Sequence, residues 1–399
     1  MNRIKFVAVV ALLLVMAVPA EVFAVSRLGS KWFQVKHRLR VEYDDNIYQT
    51  KDDEKDSSKV INEFDIFVQA KLEQTFLSLH YRPQHVYWDD REPDDTTWNH
   101  SVDLIFAQEF SPRVTLSLKD TLLIAEQPAQ ILDGNQFGPD NDYTYNSVVG
   151  SLSIGLTPET TLDLSGRYQL LRYDEDAISD ANDYDIYVAG LDLRRQVLPE
   201  TSVALQLRGE QTDYTETDDR DSDSYQAGAA LEEAFGPDLV GKVRLGWQHK
   251  TFDDSSIDDI DSAYADGSLT LLPSPATRIT GGVGYDQSDT DVAPFANQDR
   301  FRVYASLAYD VTARITWYLT SEYIMHDLDA EDAPEASRTQ GGEELEDGSE
   351  NITQVSTRLA YKLNRSNVIE AGWQLIDLDS DVREDYVRNR LSLGWRTEI

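Results

Sequence analysis

Thr157-Pro158-Glu159-Thr160-Thr161-Leu162-Asp163-Leu164-Ser165-Gly166-Arg167-Tyr168-Gln169-Leu170 decides the fold. A tight proline turn opens a run in which Leu162, Leu164, Tyr168 and Leu170 alternate with Asp163, Ser165, Arg167 and Gln169. Side chains on a strand alternate faces, so this run has one apolar and one polar side. Val203, Leu205 and Leu207 repeat the arrangement, with Gln206 and Arg208 between them. Outward from these two runs the same unit recurs from Trp32 to Ile399: an alternating run, a short turn, a second run, then a long acidic loop. Such a chain is all-β, and it predicts a transmembrane antiparallel β-barrel of about eighteen strands. The first strand is expected over Phe33–Tyr43, the third over Phe76–Arg82 and the last over Tyr386–Thr397.

Short and long connections alternate, as expected of short periplasmic turns and long acidic extracellular loops. Proline sits in the short ones, as in Ser111-Pro112-Arg113, Gly236-Pro237-Asp238 and Pro273-Ser274-Pro275, because it has no amide hydrogen to give to a ladder. Tyr43, Tyr81, Tyr168, Trp247, Tyr285, Tyr309, Tyr361 and Trp373 fall near strand ends, where interfacial girdles are expected.

The N-terminus reads as a targeting segment. Arg3 and Lys5 precede an apolar stretch, Phe6 to Val18, and Val22-Phe23-Ala24 offers a cleavage site. Residues 1–24 are therefore expected to be a removed signal peptide and 25–399 one barrel domain. The apolar stretch is shorter than the roughly 20 residues of a spanning helix. The chain has no cysteine, so a hydrogen-bonded ladder must hold an exported fold together.

The formal charge is −36, with 72 acidic against 36 basic residues. That balance argues against nucleic-acid binding, which needs Lys and Arg in excess. The acids crowd into loops, at Asp52-Asp53-Glu54, Asp218 to Asp223, Asp253 to Asp261 and Asp327 to Glu350. Simple solvation of an external face accounts for them, with cation bridges to lipopolysaccharide phosphate as the alternative. The loop from Asp327 to Glu350 is long enough to fold into the mouth as a plug.

The bases sit inside the strands. On the first strand Lys36, Arg38 and Arg40 take the parity opposite to the apolar residues, as do Arg388 and Arg390 on the last. Arg167, Arg194, Arg208, Arg244, Arg302, Arg358 and Lys362 share that parity on their own strands. All are expected to face the lumen. There they either brace the wall against Asp163, Asp192, Glu210 and Asp310 or select anions.

No cofactor is implied and no catalytic residue is nominated. The six histidines show no metal-ligand spacing, and His326-Asp327 is the nearest thing to a catalytic pair. Gly281-Gly282-Val283-Gly284 lies in a strand, where glycine relieves crowding or marks a bend.

The opening segment Val41-Glu42-Tyr43-Asp44-Asp45-Asn46-Ile47-Tyr48 and the recurrent hairpins, clearest at Leu198 to Tyr214 and Leu272 to Asp286, resemble the putative β-barrel porins of type 2. That resemblance implies a bacterial outer-membrane channel tied to exopolysaccharide export, with periplasmic export machinery as a partner and no catalytic residues. A diffusion porin for small anions is the first rival, and a non-transporting surface scaffold the second. Lipid and lipopolysaccharide are the expected surroundings, and a polysaccharide or small anionic solute the expected lumen occupant.

Overall fold

The computed structural model describes residues 32–91, 95–125, 142–215, 220–290, 292, 294–340 and 343–398. The expected signal peptide and part of the Asp218 to Asp223 loop lie outside them. The chain begins with β1 (Phe33–Asp44), β2 (Ser57–Lys71), β3 (Thr75–Trp88), β4 (Thr96–Ser111), β5 (Val114–Ala125), β6 (Tyr143–Gly155) and β7 (Thr160–Tyr173). After a short helix, α1 (Asp176–Asn182), follow β8 (Tyr184–Leu198), β9 (Thr201–Tyr214), β10 (Ser222–Gly236), β11 (Leu239–Phe252) and β12 (Ile260–Ser274). Next come β13 (Thr277–Ser288), β14 (Gln298–Asp310) and β15 (Ile315–Leu328). The pair β16 (Thr339–Gln340) and β17 (Glu343–Glu344) makes a minute hairpin within a loop, before β18 (Gly348–Lys362), β19 (Asn367–Ser380) and β20 (Tyr386–Glu398).

Apart from that hairpin, every strand pairs antiparallel with its sequence neighbours in one 18-stranded sheet. β1 also pairs with β20, from Lys36↔Glu398 to Asp44↔Arg390, and this closes the barrel. Closure leaves no edge whose amides lack partners, a condition lipid imposes on any spanning structure. Turns of two to four residues connect the strands at one end and the long loops connect them at the other.

The outward face is apolar: Val41, Leu205, Leu245 and Leu393 are all more than half exposed. Aromatic side chains edge this band with their polar atoms tied to the next strand. Tyr168 Oη donates to Asp185 at 2.8 Å, Tyr285 Oη to Asp299 at 2.9 Å and Trp373 Nε1 to Asn389 at 3.3 Å. An amphipathic ring with one end in lipid and one end bonded suits that position.

Most strands run beyond the roughly 9–11 residues that cross a bilayer. The surplus lies at the long-loop end, where inward residues such as Ile61, Val86, Leu171, Ile324 and Leu378 are buried. Toward the short turns the inward face opens to water, as in β8, whose last residues are exposed on both sides. The interior is therefore packed at the loop end and open at the turn end.

β3 departs from the expected boundary. It continues through Pro83 to Trp88, and Pro83 is tolerated because the β2–β3 ladder lapses there, between Ile66↔Tyr81 and Glu63↔Gln84. Of the three glycines of β13, Gly282 relieves crowding: a Cβ there would lie 2.6 Å from the Tyr304 ring, whereas one on Gly281 or Gly284 would meet nothing nearer than 3.5 Å. Tyr264 uses Gly228 and Gly246 in the same way, and a Cβ on Gly246 would lie 2.3 Å from the ring and 2.6 Å from the Ala227 carbonyl. Because backbone cannot yield as a side chain does, Gly246→Ala is expected to cost about 1–3 kcal/mol. A lowered urea midpoint of the detergent-folded barrel checks this.

Candidate functional site

The lumen wall carries the chemistry. Alternation puts every base nominated from sequence on the inward face, and most have an acid on the neighbouring strand. Arg208 grips Asp192 through two hydrogen bonds of 2.6 and 2.9 Å. Arg167 meets Glu210 at 3.2 Å and Arg194 meets Asp163 at 3.2 Å. Arg38 reaches Glu63 at 3.1 Å, and Arg40 lies 3.6 Å from Glu42. Arg388 holds the fully buried Asp44 through Nε at 2.9 Å and Nη2 at 2.6 Å. Lys36 lies over the Phe67 ring at 4.9 Å, while Lys362 stands exposed at the turn end.

Three of the four acids expected to brace arginines do so. Asp310 instead accepts a hydrogen bond from Thr316 at 2.6 Å.

A second group of bases is held more loosely. Arg244 is 3.6 Å from Asp266, Arg302 is 3.4 Å from Glu322 and Arg358 is 3.7 Å from Glu370. Each of these guanidinium groups also stacks on an inward tyrosine: Arg244 on Tyr264 at 5.3 Å, Arg302 on Tyr304 at 5.0 Å and Arg358 on Tyr318 at 4.5 Å. The stack fixes the plane of the guanidinium and leaves an edge toward lumen water. Glu370 is shared by Arg38, Arg358 and Arg396 at 3.5, 3.7 and 3.6 Å, so one carboxylate serves three cations.

Sequence reading missed Lys59, Lys250 and Arg300, which also face inward. Lys59 contacts Glu42 at 2.8 Å, and Arg300 grips Asp286 at 2.9 and 2.8 Å. Lys59 escaped because Ile61 is apolar yet inward, which breaks the alternation that locates β2. Extending the parity of Glu63 backward by two residues at a time would have found it.

The long loops shape the mouth. In the described part of the loop at 289–297 the chain turns into the barrel at Asp289, which pairs with Lys250 of β11 and accepts from Thr212 of β9 at 3.0 Å. Phe295 is 2% exposed and packs with Val292 and Leu328 against Leu345 and Val382. The Asp327 to Glu350 loop, expected as the plug, lies against this inward loop rather than in its place. Asp332 accepts from the amide of Ala296 at 3.1 Å, and Arg338 donates to the Ser256 carbonyl of another loop at 2.8 Å. The short loop reaches the lumen through Asp289, while Val292 and Phe295 bury at the mouth against Leu328 and the loop residues Leu345 and Val382. The described part of the long one is largely acidic, yet it joins the packing at the mouth, where Ala333 is fully buried and Leu345 lies on the Phe295 cluster.

His326 and Asp327 are not brought together. His326 points inward to Glu350 at 3.5 Å, and Asp327, next on the strand, faces outward and is exposed. Among the described residues no group of three or more His, Asp or Glu side chains is placed to hold a metal ion.

The packed part of the lumen holds a cavity of about 330 Å³ beside β1–β6 and β20, and another of about 310 Å³ beside β6–β11, β13 and β14.

Solved outer-membrane barrels share the architecture. Pseudomonas aeruginosa OpdK, solved with vanillate, is 12% identical with a TM-score of 0.50, covering 92% of this chain and 99% of that one. OccK9 (OpdG) of the same organism is 13% identical with a TM-score of 0.50, covering 92% and 98%. Both are likenesses of fold. No curated protein sequence matches the chain. The profile of the family described as "Putative beta-barrel porin 2" matches residues 26–399. The chain is an outer-membrane β-barrel and belongs to that porin family.

Proposed function

We propose that this porin is a passive diffusion channel for small anionic solutes. The observation that carries the reading is the set of half-exposed arginines, Arg194, Arg244, Arg302 and Arg358, in the watery lumen. Fixed cations in a narrow aqueous path lower the barrier for anions, and partial pairing to wall acids keeps each contact weak enough for release. The guanidinium fork suits carboxylate and phosphate alike. OpdK was solved with vanillate, an aromatic carboxylate, and the same solute class is proposed here on the strength of the arginines.

This reading replaces the export of exopolysaccharide that the resemblance implies. Cavities of about 330 and 310 Å³ have the dimensions of small molecules, and the inward loop at 289–297 stands where a hydrated polymer would pass. The loop acids are read as a solvated outer face toward lipopolysaccharide, and residues 1–24 as the removed signal that delivers the chain. The porin is read as carrying no enzymatic chemistry.

Purified protein in a planar bilayer under a KCl gradient tests the proposal. The reversal potential is expected to report chloride over potassium, and replacing the four arginines with Gln is expected to move it toward zero. A cation-selective potential in the parent protein defeats the reading, because the acidic loops would then dominate the path.

A further inference from the structure

The two cavities differ in what they lack. The one beside the barrel seam is lined by the bases Arg38, Arg40, Lys59, Arg82, Arg91 and Arg390 against the acids Glu42 and Glu63. The one across the lumen has Arg167, Arg244, Lys250 and Arg300 against Glu210, Asp286 and Asp289, close to balance.

The orphaned polar atoms differ in the same sense. Beside the seam they are donors: Nε and Nη2 of Arg390, Nε of Arg40 and Nε1 of Trp88 find no hydrogen-bond partner. Across the lumen oxygens predominate, Oε1 of Gln169, Oε1 of Gln287 and Oγ of Ser224, with Nε of Arg244 beside them. Arg390 is 9% exposed and Trp88 3% exposed, so bulk water does not satisfy these groups. A buried guanidinium with two unused donors is costly unless an anion completes it.

The neighbouring acids are engaged elsewhere. Asp44 is taken by Arg388, and Glu42 by Lys59 at 2.8 Å. The cavity also has an apolar side, with Ile61, Val86, Leu123 and Ala125 on its wall. Its polar donors and apolar wall together ask for a ligand with a compact anionic head and a short apolar body.

We propose that the seam cavity is a binding site for a small organic carboxylate, with Arg390 and Trp88 Nε1 as its principal donors and Arg40 at its edge. The site rests on the anion-channel reading and deepens it: the lumen has one station where the solute pauses, set on one side of the barrel. The carboxylate takes the two free N–H groups of Arg390 in a bidentate contact, and its body lies on Ile61, Val86 and Leu123. Inorganic phosphate satisfies the same donors but leaves that apolar wall uncovered, so it binds more weakly.

Single-channel recording with sodium benzoate as the probe tests this, with benzamide and inorganic phosphate alongside. Benzoate is expected to produce concentration-dependent interruptions of the current that benzamide does not. Arg390→Gln is expected to raise the benzoate concentration for half-block about tenfold, equivalent to about 1.4 kcal/mol. Folding of the variant is checked by its heat-modifiable gel mobility, and Arg40→Gln, a smaller change at the cavity edge, is expected to shift block less. Unaltered benzoate block in folded Arg390→Gln overturns the site, and phosphate blocking as strongly as benzoate overturns its assignment to organic carboxylates. A parent channel that prefers potassium defeats the anion-channel reading itself, whereas an anion-selective parent with unaltered block in the variant defeats only the site.

Discussion

Phe295→Ala is expected to raise single-channel conductance several-fold. The described part of the loop at 289–297 is held at two points: the Phe295 ring in its cluster at the mouth, and Asp289 inside the barrel between Lys250 and Thr212. Removing a buried phenyl ring costs about 3–5 kcal/mol, more than enough to unseat a short loop whose local opening energy lies well below that of the whole barrel. Asp289→Asn, combined with it, is expected to raise conductance further, because it removes the loop's second anchor. The packing of this loop also responds to pH. Burial pushes the Asp332 carboxyl up to about 6; Asp329 and Asp299 add to the shift, while Asn297 and Lys250 oppose it. An acid with a raised folded pKa stabilises the packed arrangement below its ordinary pKa, and that stabilisation is lost as pH rises through about 6. Conductance is therefore expected to be lower at about pH 5 than at about pH 7.5, and Asp332→Asn to flatten the difference. Parent-like conductance in Phe295→Ala would mean that the loop is not the constriction.

The barrel was legible because lipid demands one apolar face on every spanning strand, and Leu162, Leu164 and Leu205 declare it. Legibility ended where that demand ends. Above the bilayer β9 continues to Tyr214 and β13 to Ser288, with polar residues on both faces, so no alternation announces them. The parity of Arg167, Arg208 and Arg388 gave their inward position, and the interior followed from strand geometry alone. Which acid each would meet depends on the stagger between strands, and Asp310 shows how a correct face can still carry an unexpected partner. The inward loop was illegible for a different reason. Val292 and Phe295 are too few and too irregularly spaced to register as a pattern, and the pocket that receives them exists only once Leu328, Leu345 and Val382 meet at the barrel mouth. Arg390 was read as one lumen base among many. Its lack of an acceptor becomes visible only when Arg388 is seen to have taken Asp44.

Asp44→Asn is expected to destabilise the barrel by about 3–5 kcal/mol, the cost of removing one partner from a buried ion pair. Asp44 is 0% exposed and lies where the first and last strands meet, opposite Arg390 in the β1–β20 register. Its two oxygens accept from Arg388, and Lys59 approaches at 3.7 Å. Without that charge Arg388, Arg390 and Lys59 face one another with Glu42 as the nearest remaining acid, and the repulsion falls on the seam that closes the cylinder. The Asn side chain keeps the shape, so the loss reads the charge rather than a cavity. Urea unfolding in detergent, followed by tryptophan fluorescence, measures the effect. The double variant Asp44→Asn/Arg388→Met is expected to recover part of the loss, because it removes the cation that the first change left unpaired. The pair Lys51–Asp385 bridges loops beside the same seam but is largely exposed on the lysine side, so Lys51→Ala is expected to leave the unfolding midpoint nearly unchanged. An Asp44→Asn midpoint equal to the parent would show that the β1–β20 ladder alone holds the seam. The arginines beside it would then be free of any structural duty and available entirely to the solute.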